Sequence, residues 1–278
     1  MITKAIIPVA GWGTRRLPIT KIIEKSMLPV GNRPLVDYSV QELIKAGVKD
    51  IYFVISNVEP CQVREFYKDN LALNQYLIER GKEDKLEKAK TIPDDVKVHY
   101  VSQDPSAKYG TAVPIALAVE EFKIDEPVLV FMGDDFIWNP NGESASEALI
   151  KASNGKHSAI LGVEIPKEDV EKYGVLSAKD GNLVGVVEKP TPEEAPSNLI
   201  NVSKYILTPD LLQKIVKYVD EHDFGPKDQE YMVTDPIDEY IKNGGIMKIA
   251  TTKGEFLDGG SVEGWLHANN VVCGNETK

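Results

Sequence analysis

Three groups of residues in this sequence have types and spacings suited to chemistry. The first lies in PVAGWGTRRLPITKIIEKSMLPV, residues 8–30, where Gly11 and Gly13 precede Arg15, Lys21 and Lys25. Glycines leave backbone N–H groups open to close approach, which is how a loop cradles a phosphate. Pro18 and Pro29 restrict the backbone between and after the cations. Long cations on a stiffened loop beside open donors suit a polyphosphate. A plain tight turn and a solvated basic face are the alternatives. The P-loop pattern G-x-x-x-x-G-K-[ST] is absent, and Arg16 stands where a dinucleotide fingerprint needs its third glycine.

The second group is acidic. VLVFMGDDF carries Asp134 and Asp135 at the end of an apolar run, and EFLDGGS sets Asp258 before two glycines. Ligands of open α/β sheets bind at the carboxyl ends of strands. Mg²⁺ is commonly held there by one or two carboxylates together with substrate phosphates. A turn or helix cap is the alternative for each acid taken singly. The third group, Glu188 and Lys189 in VVEKP, pairs a carboxylate able to accept sugar hydroxyls with an ammonium able to meet a sugar phosphate. The four histidines are scattered and no G-x-S-x-G elbow occurs, so a Ser/His/Asp hydrolase has no support.

These groups need elements to position them. KAIIPVA, DIYFVIS, VHYVSQ and PVLVFMGDD read as strands. They alternate with helical stretches at 36–48, 61–81 and TAVPIALAVEEF, the last interrupted early by Pro114. Residues 82–97 read as a solvated excursion. After residue 160 come SAILGVEI, a hairpin GVLSAKDGNLVGVVEKP turning at Asp180-Gly181, and NVSKYILTP. Helices return in LLQKIVKYVDEH and DPIDEYIKNGG. This alternation predicts an α/β chain with a mixed, mostly parallel sheet and helices on both faces.

The 278 residues carry 32 Lys and Arg against 43 Asp and Glu, a net charge of −11. Residues 1–35 oppose that trend, with six cations against Glu24 alone. Overall acidity argues against nucleic acid or an anionic membrane as the main partner, while the local basic cluster permits a small, highly charged anion. Cys61 and Cys273 have no metal-ligand spacing and suggest neither zinc nor a disulfide. Residues 1–9 are too short and too soon interrupted for a signal peptide or membrane span, and the expected location is cytoplasmic.

AGWGTRRLPITKIIEKSMLP resembles the G-x-G-T-R-x-L-P-x-T-K-x-x-x-K-x-M-L-P signature of sugar-1-phosphate nucleotidylyltransferases. YGVL, VEKPTPEEAPSNL and DGGSVEGW resemble later blocks of the bacterial-type UTP–glucose-1-phosphate uridylyltransferases. The blocks run in family order from residue 5 to about residue 266. The resemblance implies a single domain over 1–278 with a Rossmann-like nucleotidyltransferase core and an inserted β-rich sugar-binding part. About 1–160 would bind nucleotide; about 161–278 would bind sugar phosphate and supply the C-terminal helices. It implies Mg²⁺, UTP or another NTP with a sugar 1-phosphate as substrates, and a homodimer or homotetramer.

By residue-wise matching, Ala10, Gly11 and Gln103 would meet the base, with Gly110 beside it. Gly13, Thr14, Arg15 and Lys25 would handle the triphosphate, Asp134 and Asp258 the Mg²⁺, and Gly174, Glu188 and Lys189 the sugar phosphate. Arg15, Lys25 and Lys189 would be the catalytic cations. Glu24 and Ser26 stand where the uridylyltransferase signature has Pro and Glu, KYGTA replaces a G-L-G-H-A-like block, and Ser203 takes a usual Gly. A thymidylyltransferase or another NTP and sugar pair on the same fold is the alternative reading. A non-catalytic nucleotide-sugar-binding regulatory protein is the alternative of another class.

Overall fold

A computed structural model describes residues 2–104, 106–224 and 229–276. Nine strands form one sheet through both halves of the chain. The order is Lys97–Gln103, Asp50–Ser56, Lys4–Pro8, Val128–Phe131, Leu199–Leu207, Ser158–Glu164, Met247–Thr251, Asn182–Glu188 and Gly174–Lys179. The first four strands are parallel. Leu199–Leu207 then runs antiparallel to both its neighbours, so the sheet is mixed. Beyond it only Ser158–Glu164 and Met247–Thr251 pair in parallel.

Period-two alternation sorts the strand side chains into two cores. Ala5 and Ile7 face the core that buries Val36, Val40 and Leu43 of helix Leu35–Lys45, together with Ala145, Ala148 and Leu149 of helix Ala145–Ser153. Ile6 faces the opposite core, closed by helices Ala112–Phe122, Pro209–Glu221 and Thr234–Lys242. Each such buried aliphatic side chain contributes about 1.5–3 kcal/mol relative to exposure. Ser144 caps helix Ala145–Ser153 through a reciprocal capping box with Glu147.

Two helical expectations change. Pro114 does not interrupt its helix, because it stands in the first turn, where a backbone N–H has no intrahelical acceptor to lose. Residues 61–81 form two helices, Gln62–Phe66 and Leu71–Glu79, since Asn70 accepts from the Leu73 N–H and begins a new helix. The excursion at 82–97 holds a short 3₁₀ turn and the short helix Leu86–Ala89, with Val96 buried beneath. The hairpin turns at Asp180-Gly181 with both residues at positive φ.

The apolar run before the acid pair ends earlier than its sequence suggests. Its strand stops at Phe131, Asp134 lies in the following turn, and Asp135 opens a second strand, Asp135–Trp138. That strand pairs antiparallel with Glu255–Asp258, setting Asp258 opposite Asp135. Helix Val262–Glu276 packs Ala268 and Val272 against Val30, Leu35, Phe136 and Leu257, holding this small sheet in place.

Candidate active site

A cavity of about 480 Å³ opens at the carboxyl ends of strands Lys4–Pro8, Lys97–Gln103 and Val128–Phe131. Ala10, Gly11, Arg15, Lys25, Gln103, Gly110 and Asp134, seven of the residues singled out from the sequence, line it. Apolar runs end where the parallel strands end, so loops from distant parts of the chain converge there.

Lys25 and Asp134 meet on its wall, Nζ to Oδ2 at 2.5 Å. Burial works to raise the Asp134 carboxyl, but the Lys25 ammonium overrides it through charge and hydrogen bond, so the carboxyl sits below its ordinary value. The Asp258 carboxyl moves the other way. Burial raises it and Asp134 adds to the rise, against the Gly260 N–H bond, Arg15 and Lys25. The two acids therefore feel each other's charge, and a cation between their loops would relieve both.

The glycines have separate tasks. Gly110, at φ +128°, packs so closely on Tyr231 that an added Cβ would lie 2.5 Å from its backbone N and O. Gly13 does not line the cavity. It sits at φ +62°, and a Cβ there would press on Lys25 Cβ and Thr20 Cγ2 at 3.0 Å. Thr20 donates to its carbonyl at 2.8 Å, so Gly13 shapes the loop that presents Lys25. Thr14 lies exposed in the 3₁₀ turn Thr14–Arg16, also outside the cavity lining.

Gly174, Glu188 and Lys189 gather at the end of the hairpin rather than in the cavity wall. A Cβ on Gly174 would sit 3.0 Å from Glu188 Oε1, which accepts from Thr234 Oγ1 at 3.0 Å. Lys189 follows at φ +48°, its N–H donating to the Tyr173 carbonyl at 3.0 Å. Thr234 lies three residues past Tyr231, so this set is tied to the segment on which Gly110 rests.

Glu24 does not oppose Lys25. Its carboxylate turns toward the start of helix Gln62–Phe66, where Oε1 accepts the Gln62 N–H at 2.5 Å. The Glu24 N–H in return donates to Gln62 Oε1 at 2.9 Å. Burial holds this carboxyl above its ordinary value, against the bonds from the Gln62 and Val63 N–H groups. The acid anchors the basic loop to the body of the protein.

Asp135, the second of the adjacent acids, lines the same cavity but is held differently. It is buried against Lys204, whose ammonium is fully buried and ion-paired with it. Burial pushes the Asp135 carboxyl above its ordinary value, against Lys204 and with Asp134 adding to the push. Lys204 also lies 5.0 Å from the Phe131 ring centre, and burial raises the nearby Glu42 carboxyl above its ordinary value, against its bonds from Ser146 and the Lys204 charge. Sequence reasoning passed over Lys204, although it follows Ile200 and Val202 and precedes Ile206 in the register that faces the core. Its neighbour Ser203, on the cavity wall, adopts φ +53°, a left-handed backbone fixed by its N–H bond to Asn201 Oδ1 at 2.9 Å.

A glycine loop, two cations and a half-buried acid at the carboxyl ends of strands in a mixed α/β sheet form a site whose charges suit a polyphosphate. The chain belongs to the nucleotidyl transferase family, whose model matches residues 4–274. A Methanocaldococcus jannaschii protein is 37% identical over 276 residues, covering 97% of this chain and 92% of its own. A Pseudomonas aeruginosa protein named UTP–glucose-1-phosphate uridylyltransferase is 33% identical over 284 residues, covering 99% and 97%. The solved structure of UTP-bound UGPase from Acinetobacter baumannii superposes with a TM-score of 0.86 at 27% identity, covering 99% of this chain and 94% of that one. No helix among the described residues is long and apolar enough to cross a membrane.

Proposed function

We propose that this protein transfers the uridylyl group of UTP to glucose 1-phosphate, giving UDP-glucose and pyrophosphate. The observation that carries this reading is the cavity in which the Lys25–Asp134 pair meets Ala10, Gly11, Arg15, Gln103 and Gly110. Relatives similar over nearly the whole chain bear the uridylyltransferase name and support that substrate pair.

The attacking atom is a phosphate oxygen of the sugar phosphate, ionised at neutral pH, so no general base is needed. A new P–O bond forms at the α-phosphorus of UTP as the bridging α–β P–O bond breaks, and the electron pair leaves with pyrophosphate. The obstacle is charge. Two unit charges at 4 Å repel by about 4 kcal/mol at an effective dielectric of 20. Arg15 and Lys25 offset this on the α-phosphate and leaving group, while Lys189 steers the incoming phosphate. The preorganised cations also hold attack in line with departure.

Asp134 and Asp258 would hold Mg²⁺. Their hard oxygen donors and mutual repulsion fit a divalent cation. Mg²⁺ commonly takes one or two protein carboxylates and draws its remaining ligands from substrate phosphates and water. When bound, it would supply positive charge to the reacting phosphates.

The test is purified protein with Mg²⁺ and a matrix of UTP, dTTP, CTP, ATP and GTP against several sugar 1-phosphates, monitored for pyrophosphate. Release fastest with UTP and glucose 1-phosphate is expected. A clear preference for dTTP would replace the reading by a thymidylyltransferase, and no release from any pair would favour a non-catalytic binder.

A further inference from the structure

We infer that Arg16 is a positioning residue that clamps the Asp258 turn to the glycine loop. It stands directly after Arg15 in sequence but, where Arg15 is exposed, it is buried, with 3% of its surface exposed. One guanidinium nitrogen donates to both the Gly259 carbonyl at 2.9 Å and the Ser261 carbonyl at 2.5 Å, which flank Gly260. Gly260 in turn donates its N–H to Asp258 Oδ1 at 2.7 Å. The guanidinium carbon lies 5.1 Å from the Trp265 ring centre, and Trp265 Nε1 donates to the Pro29 carbonyl at 2.7 Å. Arg16's own N–H donates to the Gly13 carbonyl at 2.8 Å. One side chain therefore joins the loop that presents Lys25 to the turn that presents Asp258, across 243 positions of chain.

The arrangement is costly. Each buried donor left without a partner costs free energy, and Nε is buried with none. Apolar residues of similar volume often replace buried charges without loss of stability. A cation here is explained by what it holds: two carbonyls on one nitrogen, fixing the turn that aims the Asp258 carboxylate. Such outer partners of a cation-binding carboxylate typically govern affinity or activity by about 10–100-fold.

This inference rests on the reading of Asp258 as a cation ligand, and the experiment separates the two. R16M, R16K and D258N are compared by amide hydrogen exchange over residues 257–266, by Mn²⁺ binding followed by electron paramagnetic resonance in the presence of UTP, and by kcat against KM. For R16M, exchange across that segment is expected to quicken about tenfold or more, with weaker Mn²⁺ binding by a similar factor and a lower kcat. KM for UTP should change far less, and R16K, which keeps a charged donor but has a shorter reach, should fall between. Exchange and Mn²⁺ binding like those of the unaltered protein in folded R16M would overturn the inference. If R16M does not fold, R16K decides by the same two measurements. Should D258N leave Mn²⁺ binding unchanged, the cation reading fails, while the exchange data still judge the clamp.

Discussion

Replacing Lys204 by methionine removes a charge but keeps the length of an unbranched side chain. Lys204 is fully buried, and its partner's side chain is only 10% exposed. In K204M the Asp135 carboxyl, raised to about 7 by burial even beside Lys204, loses its counter-ion and must either stay charged or take up a proton, and the nearby Glu42 loses the same support. Breaking a buried pair from one side typically costs about 3–5 kcal/mol. For a chain of this size that corresponds to a lower Tm by roughly 10 °C. D135N in the K204M background removes the stranded charge and leaves a neutral amide, whose imperfect bonding costs about 1–3 kcal/mol. The double variant should therefore regain on the order of 2 kcal/mol. Urea denaturation of the unaltered protein, both single variants and the double variant measures that coupling. A K204M loss below about 1 kcal/mol, or a double variant no more stable than K204M, would refute the reasoning.

K25M should fold, because its ion pair is partly open to solvent, yet lose turnover by on the order of 10²-fold; near-normal pyrophosphate release would remove Lys25 from the mechanism. G110A forces a Cβ against the Tyr231 backbone at positive φ, so urea unfolding should show a loss of at least about 1–3 kcal/mol and the KM for UTP should rise. An unchanged midpoint would contradict the described contact. The buried Tyr205 hydroxyl has its pKa raised from 10.0 to about 12, by burial before anything else. The folded protein keeps that proton while the unfolded chain loses it, so stability falls as pH rises between those values. The stability advantage of the unaltered protein over Y205F should narrow by on the order of 1 kcal/mol between pH 8 and pH 11, and a pH-independent difference would contradict this.

Much of the site was legible in the chain because its signals are local. Gly11, Arg15 and Lys25 share one loop, and the apolar run before Asp134 places that acid just past a strand, although the strand stops at Phe131 and Asp134 sits in the turn after it. Helix and hairpin signals carried most of the fold for the same reason: periodicity and turn chemistry act over a few residues. The Pro114 expectation failed because the cost of proline depends on whether a helix has already begun, which only the Thr111 cap position decides.

What the tertiary structure alone decided are partnerships between distant residues of similar type. Arg15 and Arg16 are chemically identical neighbours, yet one faces the cavity and the other clamps a turn 243 positions away. Asp134 and Asp135 are likewise identical, yet alternation about the turn gives one to Lys25 and the other to a lysine 69 positions on. Glu24, an anomaly beside Lys25, is a cap for a helix 38 positions on. Sequence by itself determined which charges gather near the phosphate loop. Which of them line the cavity depended on burial, because a charge can be withdrawn from water only where the fold supplies its partner.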